Sequence, residues 1–374
     1  MSTLASVLGV RLLLWLGSTV PTPPDPGVLA GLTRVRVTND ANGRDGFELT
    51  FSVGVDKSFD IDLLASGVVD AKTRVWIAAI LGVVPEVLID GVITHHQLQL
   101  GNEPGTGTLT VQGTDLTVLL DLEERNKQYP NQPDSVIVTQ LLASYPDLGF
   151  VPALTPTTDV PIEIQRVPRQ TGTDLDFIRK SARRNGFIYY VEPITFGVNT
   201  FYWGPPTRAG VPQPALTVNM GGDTNVGRLD FGNDALAAVG APVTIVEPTT
   251  KMRIPLPAAP SLRLPPLSGS PAAALRTTLI RNAANLNPAQ ALLASAAAAT
   301  NAPDPVRARG ELDTARYGAV LRARRPVGVR GAGRSNDGNW YVGKVEHEIA
   351  KDRYVQKFTL TRDGSGALLP VVRP

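Results

Sequence analysis

The 374-residue sequence contains no cysteine. Disulfides, thiolate metal sites and cysteine nucleophiles are therefore excluded, which fits a reducing compartment and equally a cysteine-poor extracellular protein. Histidine is scarce, with three residues: His95, His96 and His347. Adjacent residues of a strand leave on opposite faces, so His95 and His96 make no two-ligand clamp. One half-buried and one solvated ring are expected. Glu346 and Glu348 flank His347 from the other face of its strand, and no metal or acid–base role is assigned there. Charge of one sign is also lacking. There are 36 Lys and Arg against 34 Asp and Glu, a formal +2. No global field draws nucleic acid or an anionic membrane. No uncharged apolar run reaches about 18 residues, so no membrane-spanning helix and no stable membrane insertion are expected.

The N-terminal "MSTLASVLGVRLLLWLGSTVPTPP" has no positive region ahead of its apolar run, because Arg11 lies within it. "VRLLLWLG" therefore reads as a buried strand ended by Gly17 and a Pro-rich turn rather than as a secretion signal.

What is present is a strand-rich chain that is 43% hydrophobic, long enough for two or three domains. In residues 33–53, Val35 and Val37 alternate with Arg34 and Arg36, and Phe47, Leu49, Phe51 and Val53 return after an Asn/Asp/Gly loop. That is a hairpin pattern. Apolar runs follow at 74–100 and 107–113, and strands at this spacing predict a closed or nearly closed barrel. The pattern then turns helical. Leu116, Leu119, Leu120 and Leu122 predict a helix capped by Thr114, with Asp121 one turn before Arg125. Ile137, Val138, Leu141, Leu142 and Tyr145 predict a second, stopped by Pro146. "TGTDLDFIRKSARRNGFIYYV" (171–191) predicts a third. Thr173 caps it, Asp174 and Asp176 occupy its first turn, Arg183 and Arg184 its last, and Asn185-Gly186 stops it. "FIYYVEP" and "TFYWGPP" then form a hairpin.

Residues 249–306 are Pro- and Ala-rich. They predict an extended stretch, then a short helix in "AQALLASAAAATNA", with little to bury and mobility in an isolated chain. Strands return in "ARYGAVLRARRPVGVRG", "GNWYVGKVEHEIA" and "RYVQKFTLTRDG". In the last, Tyr354, Gln356, Phe358 and Leu360 share one face.

Catalytic chemistry has few residues to use. Asp121, Glu123 and Glu124 raise a glycosidase pair, but on a helix they read as a solvated face. Arg322, Arg324, Arg325, Arg330 and Arg334 raise phosphate binding, but no aromatic residues interleave. An intersubunit or spike-facing patch is the better reading. "GNEPGTGTLT" lacks the Lys-Ser/Thr ending of a P-loop.

The order of these pieces is a barrel, "GTDLTVLLDLEERN", "PDSVIVTQLLASY", "TDLDFIRKSARRNGFIYYVEP" and a closing "GNWYVGKVEHEIAKDRYVQKFTL". This order resembles the baseplate hub proteins of contractile phage tails and phage-tail-like injection systems. That family includes the phage late-control D proteins and the N-terminal hub part of the type VI secretion spike, the valine-glycine repeat protein. "FYWGPP" and "VRLLLWLGSTVPTPP" are most similar to hubs of extracellular injection particles. The resemblance covers most of the chain and weakens across 250–305. It implies a mainly β fold with an α+β insertion, in which two tail-tube-like barrels are linked by a helix-plus-hairpin subdomain. The expected boundaries are 1–113 for the first barrel, 114–212 for the insertion, 213–248 and 307–374 for the second barrel, and 249–306 for a Pro/Ala-rich insert. It further implies a non-enzymatic homotrimer without cofactor, metal site or nucleic-acid specificity. Its partners would be a hexameric inner tube protein, a separate spike protein and other baseplate components. Arg183, Arg184, Arg322, Arg324 and Arg325 are the candidate subunit-interface residues. A cell-wall hydrolase or glycan-binding module carried by such a particle is the alternative.

Overall fold

The computed structural model describes residues 4–7, 10–18, 20–54, 62–82, 84–102, 106–164, 166–246, 250–281, 283, 286–351 and 353–368. The chain is mainly β with a few helices. Its first part runs β1 (Val10–Gly17), α1 (Pro26–Gly31), β2 (Leu32–Asp40), β3 (Gly46–Val53), α2 (Asp62–Ala65), β4 (Arg74–Leu81), β5 (Pro85–Gln99) and β6 (Gly107–Asp115). Side by side the strands lie β1-β4-β5-β6-β3-β2, every neighbour antiparallel. Alternation is the cause: Val35 and Val37 of β2 and Phe47, Leu49 and Phe51 of β3 point to one buried face. Leu12, Leu14 and Leu16 of β1 share a single core with Val35 and Val37 of β2. These two strands stand at opposite ends of the six, so the sheet curls around its core.

The insertion follows. A 3₁₀ turn (Leu116–Asp121) leads to β7 (Glu124–Gln128), α3 (Asp134–Ala143), β8 (Phe150–Leu154), β9 (Arg169–Thr173), α4 (Asp174–Asn185), β10 (Ile188–Thr195) and β11 (Val198–Gly204). The helix expected after Thr114 is thus only this turn. Asp115, not Thr114, caps it through Thr117 N at 2.9 Å. "ERNKQ" then pairs as a strand with β9. Asp121 meets Arg44 rather than Arg125, which lies 3.1 Å from Asp174. α3 buries Ile137, Val138, Leu141 and Leu142 against Leu175 and Ile178 of α4. α4 has the predicted ends: Thr173 Oγ1 accepts from Asp176 N at 3.1 Å, and Gly186 closes it at φ 67°.

The last part runs β12 (Gln213–Thr217), β13 (Val226–Asn233), α5 (Pro288–Asn301), β14 (Val306–Asp313), α6 (Thr314–Tyr317), β15 (Pro326–Arg330), β16 (Gly338–Ala350) and β17 (Arg353–Arg362). Of "ARYGAVLRARRPVGVRG" (315–331), expected as strand, the first three residues belong to the helical turn Thr314–Tyr317 and only Pro326–Arg330 is a strand. Asp313 caps that turn through Arg316 N at 3.0 Å. The strands lie β12-β15-β16-β17-β14-β13. This is the order of the first unit: first, fourth, fifth, sixth, third, second. One difference is that β12 runs parallel to β15, whereas β1 runs antiparallel to β4.

The likeness reaches single residues. Lys72 and Arg324 both have positive φ, 68° and 65°. Each precedes its fourth strand and donates its N–H to a fifth-strand carbonyl, Ile93 O and Val342 O, at 2.8 Å. One residue later the fifth strand slips register against the sixth in both units, between Ile93 and His95 and between Val342 and Lys344. The second strands slip against the third likewise, between Leu32 and Arg34 and between Val226 and Arg228.

β16 fuses the units. Gly338–Tyr341 pairs with β15, and Lys344–Ala350 pairs with β2 of the first unit. With the short strand Leu4–Val7, which pairs antiparallel with β1, the twelve strands of the two units form one 13-stranded sheet.

The Pro/Ala-rich segment packs on its own chain, contrary to the expected mobility. α5 carries the Asn287/Gln290 capping box and buries Ala291, Ser295, Ala296, Ala297 and Thr300. Small side chains bring helix backbones close: a Cβ on Gly186 would lie 2.8 Å from Ala297 Cα. Hydroxyls satisfy polar groups there, with Ser295 Oγ donating to Ala241 O at 2.6 Å. Leu267 is buried and Leu262 half-buried, while Leu264, Leu275 and Leu279 are exposed.

Candidate functional site

Three of the arginines singled out by sequence, Arg322, Arg324 and Arg325, converge on the joint between the two units and the insertion. Arg324 sits in the loop before β15. Its positive φ turns the side chain into a three-way contact. The guanidinium bonds both oxygens of Asp45 at 3.0 and 2.6 Å and Asp40 O at 2.7 Å. It also lies 4.4 Å from the centroid of the Tyr190 ring of β10. Its side chain is 5% exposed and that of Asp45 2%. Burial lowers the guanidinium pKa, but the Asp45 carboxylate and its hydrogen bonds outweigh that and hold it above the ordinary arginine value.

Arg322 reaches the first unit beside it, with Nε on Glu86 at 3.0 Å and Nη1 on Val87 O at 2.8 Å. Arg325 turns to the insertion and pairs with Glu192 at 2.9 Å. Three arginines in four residues thus clamp one loop to two other parts of the same chain. Arg184 joins helices inside the insertion, pairing with Asp134 at the start of α3, and Asn185 donates to the same carboxylate at 2.7 Å. The Arg183 side chain is exposed; its carbonyl accepts from Asn301 of α5 at 3.0 Å.

Behind Asp45 lies a chain of buried polar groups that the sequence reading missed. Asn39 Nδ2 donates to Asp45 at 2.9 Å, and Asn39 Oδ1 accepts from His347 Nε2 at 3.1 Å. His347 Nδ1 therefore accepts, from Tyr354 Oη at 2.8 Å and Gln356 Nε2 at 3.2 Å. Gln356 also spans Leu321 N and O at 3.0 and 2.8 Å, which ties the chain back to the arginine loop. His347 is fully buried, and burial first, then Arg322, push its pKa down to about 3. It is a neutral structural imidazole. His95 and His96 are both exposed, so the expected half-buried ring is not found. Among the described residues, no group of three or more His, Asp or Glu is placed to hold a metal ion.

The unfolded His347 imidazole takes a proton below about pH 6.5 and the folded one does not until about pH 3, so stability falls as pH drops through that window. Each pH unit removes up to about 1.4 kcal/mol. Between pH 6.5 and 5.5, above the ordinary carboxylate pKa values, His347→Gln is expected to flatten the dependence of the urea midpoint on pH. An unchanged slope would contradict the buried neutral ring.

The hairpin β10–β11 is fixed to the first unit at its tip. Phe196 stacks on Trp15 at 4.7 Å and 3°, with Trp76 5.5 Å away. Below it, Asp90 takes two bonds from Arg74, at 2.9 and 2.8 Å, and one from Asn199 at 2.8 Å. The firm punctuation of α4 therefore sets a hairpin that braces both units, Phe196 against the first and Glu192 against the loop of the second.

This architecture is shared with solved structures. A tail protein of Neisseria meningitidis aligns over 96% of this chain and 98% of its own, with TM-score 0.62 and 14% identity. The 43 kDa tail protein of prophage MuSo2 from Shewanella oneidensis aligns over 94% and 98%, with TM-score 0.61 and 14% identity. An E. coli type VI secretion component with structural similarity to T4 bacteriophage tail proteins aligns over 92% of this chain and 77% of its own, with TM-score 0.55 and 14% identity. No protein-family profile and no curated protein matches the sequence. The chain has the fold of phage tail proteins.

Proposed function

We propose that the chain is the structural baseplate hub of a contractile injection particle. Three copies form a ring that adapts a six-fold inner tube to a three-fold spike. The observation behind this reading is the strand order that occurs twice in one chain and is fused through β16. Two like units per subunit turn three-fold symmetry into six similar faces. The two curled sheets are then barrels of the tail-tube kind, and the 114–212 insertion is the brace that fixes their angle. The role is mechanical rather than enzymatic, with assembly in the cytoplasm followed by incorporation into a phage or phage-tail-like particle. Arg183, exposed on α4, and Leu264, Leu275 and Leu279 of the Pro/Ala-rich segment are the contacts offered to neighbouring baseplate components. Imaging of particles carrying a labelled chain tests the proposal: the label belongs at the tube–spike boundary.

A further inference from the structure

The joint that fuses the two units has a counterpart that a single chain leaves open. Inside the chain, the second strand of unit one lies along the distal half of the fifth strand of unit two. The pairs run from Asp40 opposite Lys344 to Arg34 opposite Ala350. The reciprocal elements are β13, the second strand of unit two, and the distal half of β5, the fifth strand of unit one. Among the described residues β13 pairs only with β14, and residues 95–99 pair only with β6. Each presents one unpaired backbone edge, a template for another strand.

The matched register slips say which residues correspond. In the fifth strands the slipped residues are Thr94 and Gly343, so 95–101 correspond to 344–350. In the second strands they are Thr33 and Gly227, so 34–40 correspond to 228–234. Carrying over the internal register puts Leu98 opposite Phe231 and Leu100 opposite Leu229. It puts His95 opposite Asp234, where the internal joint has Lys344 opposite Asp40.

We propose that these two edges pair between copies, β13 of one subunit adding to residues 95–101 of the next, in the register of the internal joint. The proposal rests on the reading of the chain as a ring-forming hub. The occupant is a second copy because the chain already makes this joint once with its own strands. The side chains agree with it. Leu100 is 64% exposed, and Leu98, Leu229 and Phe231 are half-buried beside an empty edge. Pairing would bring the four together as two apolar cross-strand contacts. Charges agree as well. Arg36 in the internal joint meets Glu346 at 3.2 Å. Its counterpart Asp230 meets glutamines, Gln97 and Gln99, and no like charges face each other. Because the two edges differ, the contact is head-to-tail and repeats until a ring closes.

The cysteine-free sequence makes the test direct. Gln99 and Asp230, both exposed, stand opposite each other in the proposed register. Opposed residues of an antiparallel pair have Cα atoms about 4.5–5.5 Å apart, within disulfide reach. Mild oxidation of the full-length Gln99→Cys, Asp230→Cys double variant is expected to give covalent dimers and trimers that collapse on reduction. Neither single variant should give them. The Gln97→Cys, Asp230→Cys pair, two residues out of register, should cross-link at least tenfold less. A trimer by native mass spectrometry that yields no such ladder, or yields it equally out of register, overturns this joint and leaves the hub reading standing. A chain that stays monomeric at every concentration, with no ladder, overturns both.

Discussion

Arg324→Met is expected to lower the unfolding free energy by about 3–5 kcal/mol, because it leaves the Asp45 carboxylate buried without its partner. Asp45 is 2% exposed and already close to a second acid: its N–H bonds Asp115 at 3.0 Å. Burial first, then the Asp45 charge, raise the Asp115 pKa. Removing the guanidinium bonded to Asp45 therefore exposes two neighbouring acids to each other in a dry site. Methionine keeps most of the volume, so a cavity explains little of the loss. Adding Asp45→Asn should restore part of it, since an amide costs less to bury than a charge. Amide exchange should accelerate at 40–45 and 318–325, the two loops the pair holds together. A loss below about 1 kcal/mol, the range of exposed pairs, would contradict the buried clamp.

Asp304→Ala is expected to cost a similar amount by the opposite route, leaving cations stranded. Asp304 takes two bonds from Arg208 Nη2, each 2.6 Å, and one from Arg263 at 3.0 Å. The Arg208 side chain is 3% exposed, and its remaining carboxylate, Asp363, stands 3.6 Å away. Burial raises the Asp304 pKa, but the two arginines overcome it and hold the carboxyl below its usual value. Alanine removes that counter-charge, so about 3–5 kcal/mol is the expected loss. Asp304→Asn, which keeps an acceptor without charge, should fall between. The measurement is urea unfolding followed by tryptophan fluorescence. A wild-type midpoint for Asp304→Ala would show that the network is solvated and that Arg263 does not tie the Pro-rich segment to the core.

Local signals carried much of this fold. The caps of α4 involve residues within a few positions, so Thr173, Asp176 and Gly186 could be read directly. Alternation gave the hairpin of β2 and β3 and the faces of β17. The partners of the arginine loop could not be read this way. Glu86, Asp45 and Glu192 lie 236, 279 and 133 residues from the arginines they meet. Arg324 reads from sequence as one of a surface patch, yet its side chain is among the most buried charges. The strand Glu124–Gln128 was missed because it is polar on both faces and pairs with an equally polar strand, so no period of two marks it. The leucines just before it fit a 3₁₀ turn as well as a helix. The repeat left one faint trace, Asn-Asp at 39–40 and again at 233–234 at the end of each second strand. Strand order, not sequence, exposes the duplication.

The hub assignment is tested most directly by a single-particle reconstruction of intact particles in which this chain carries a small C-terminal tag. The account predicts three tagged copies in one ring, between the last six-fold tube layer and the spike, with the two units of each chain alternating around the axis. Six copies, a single copy, or density along the tube or outside the baseplate would contradict it.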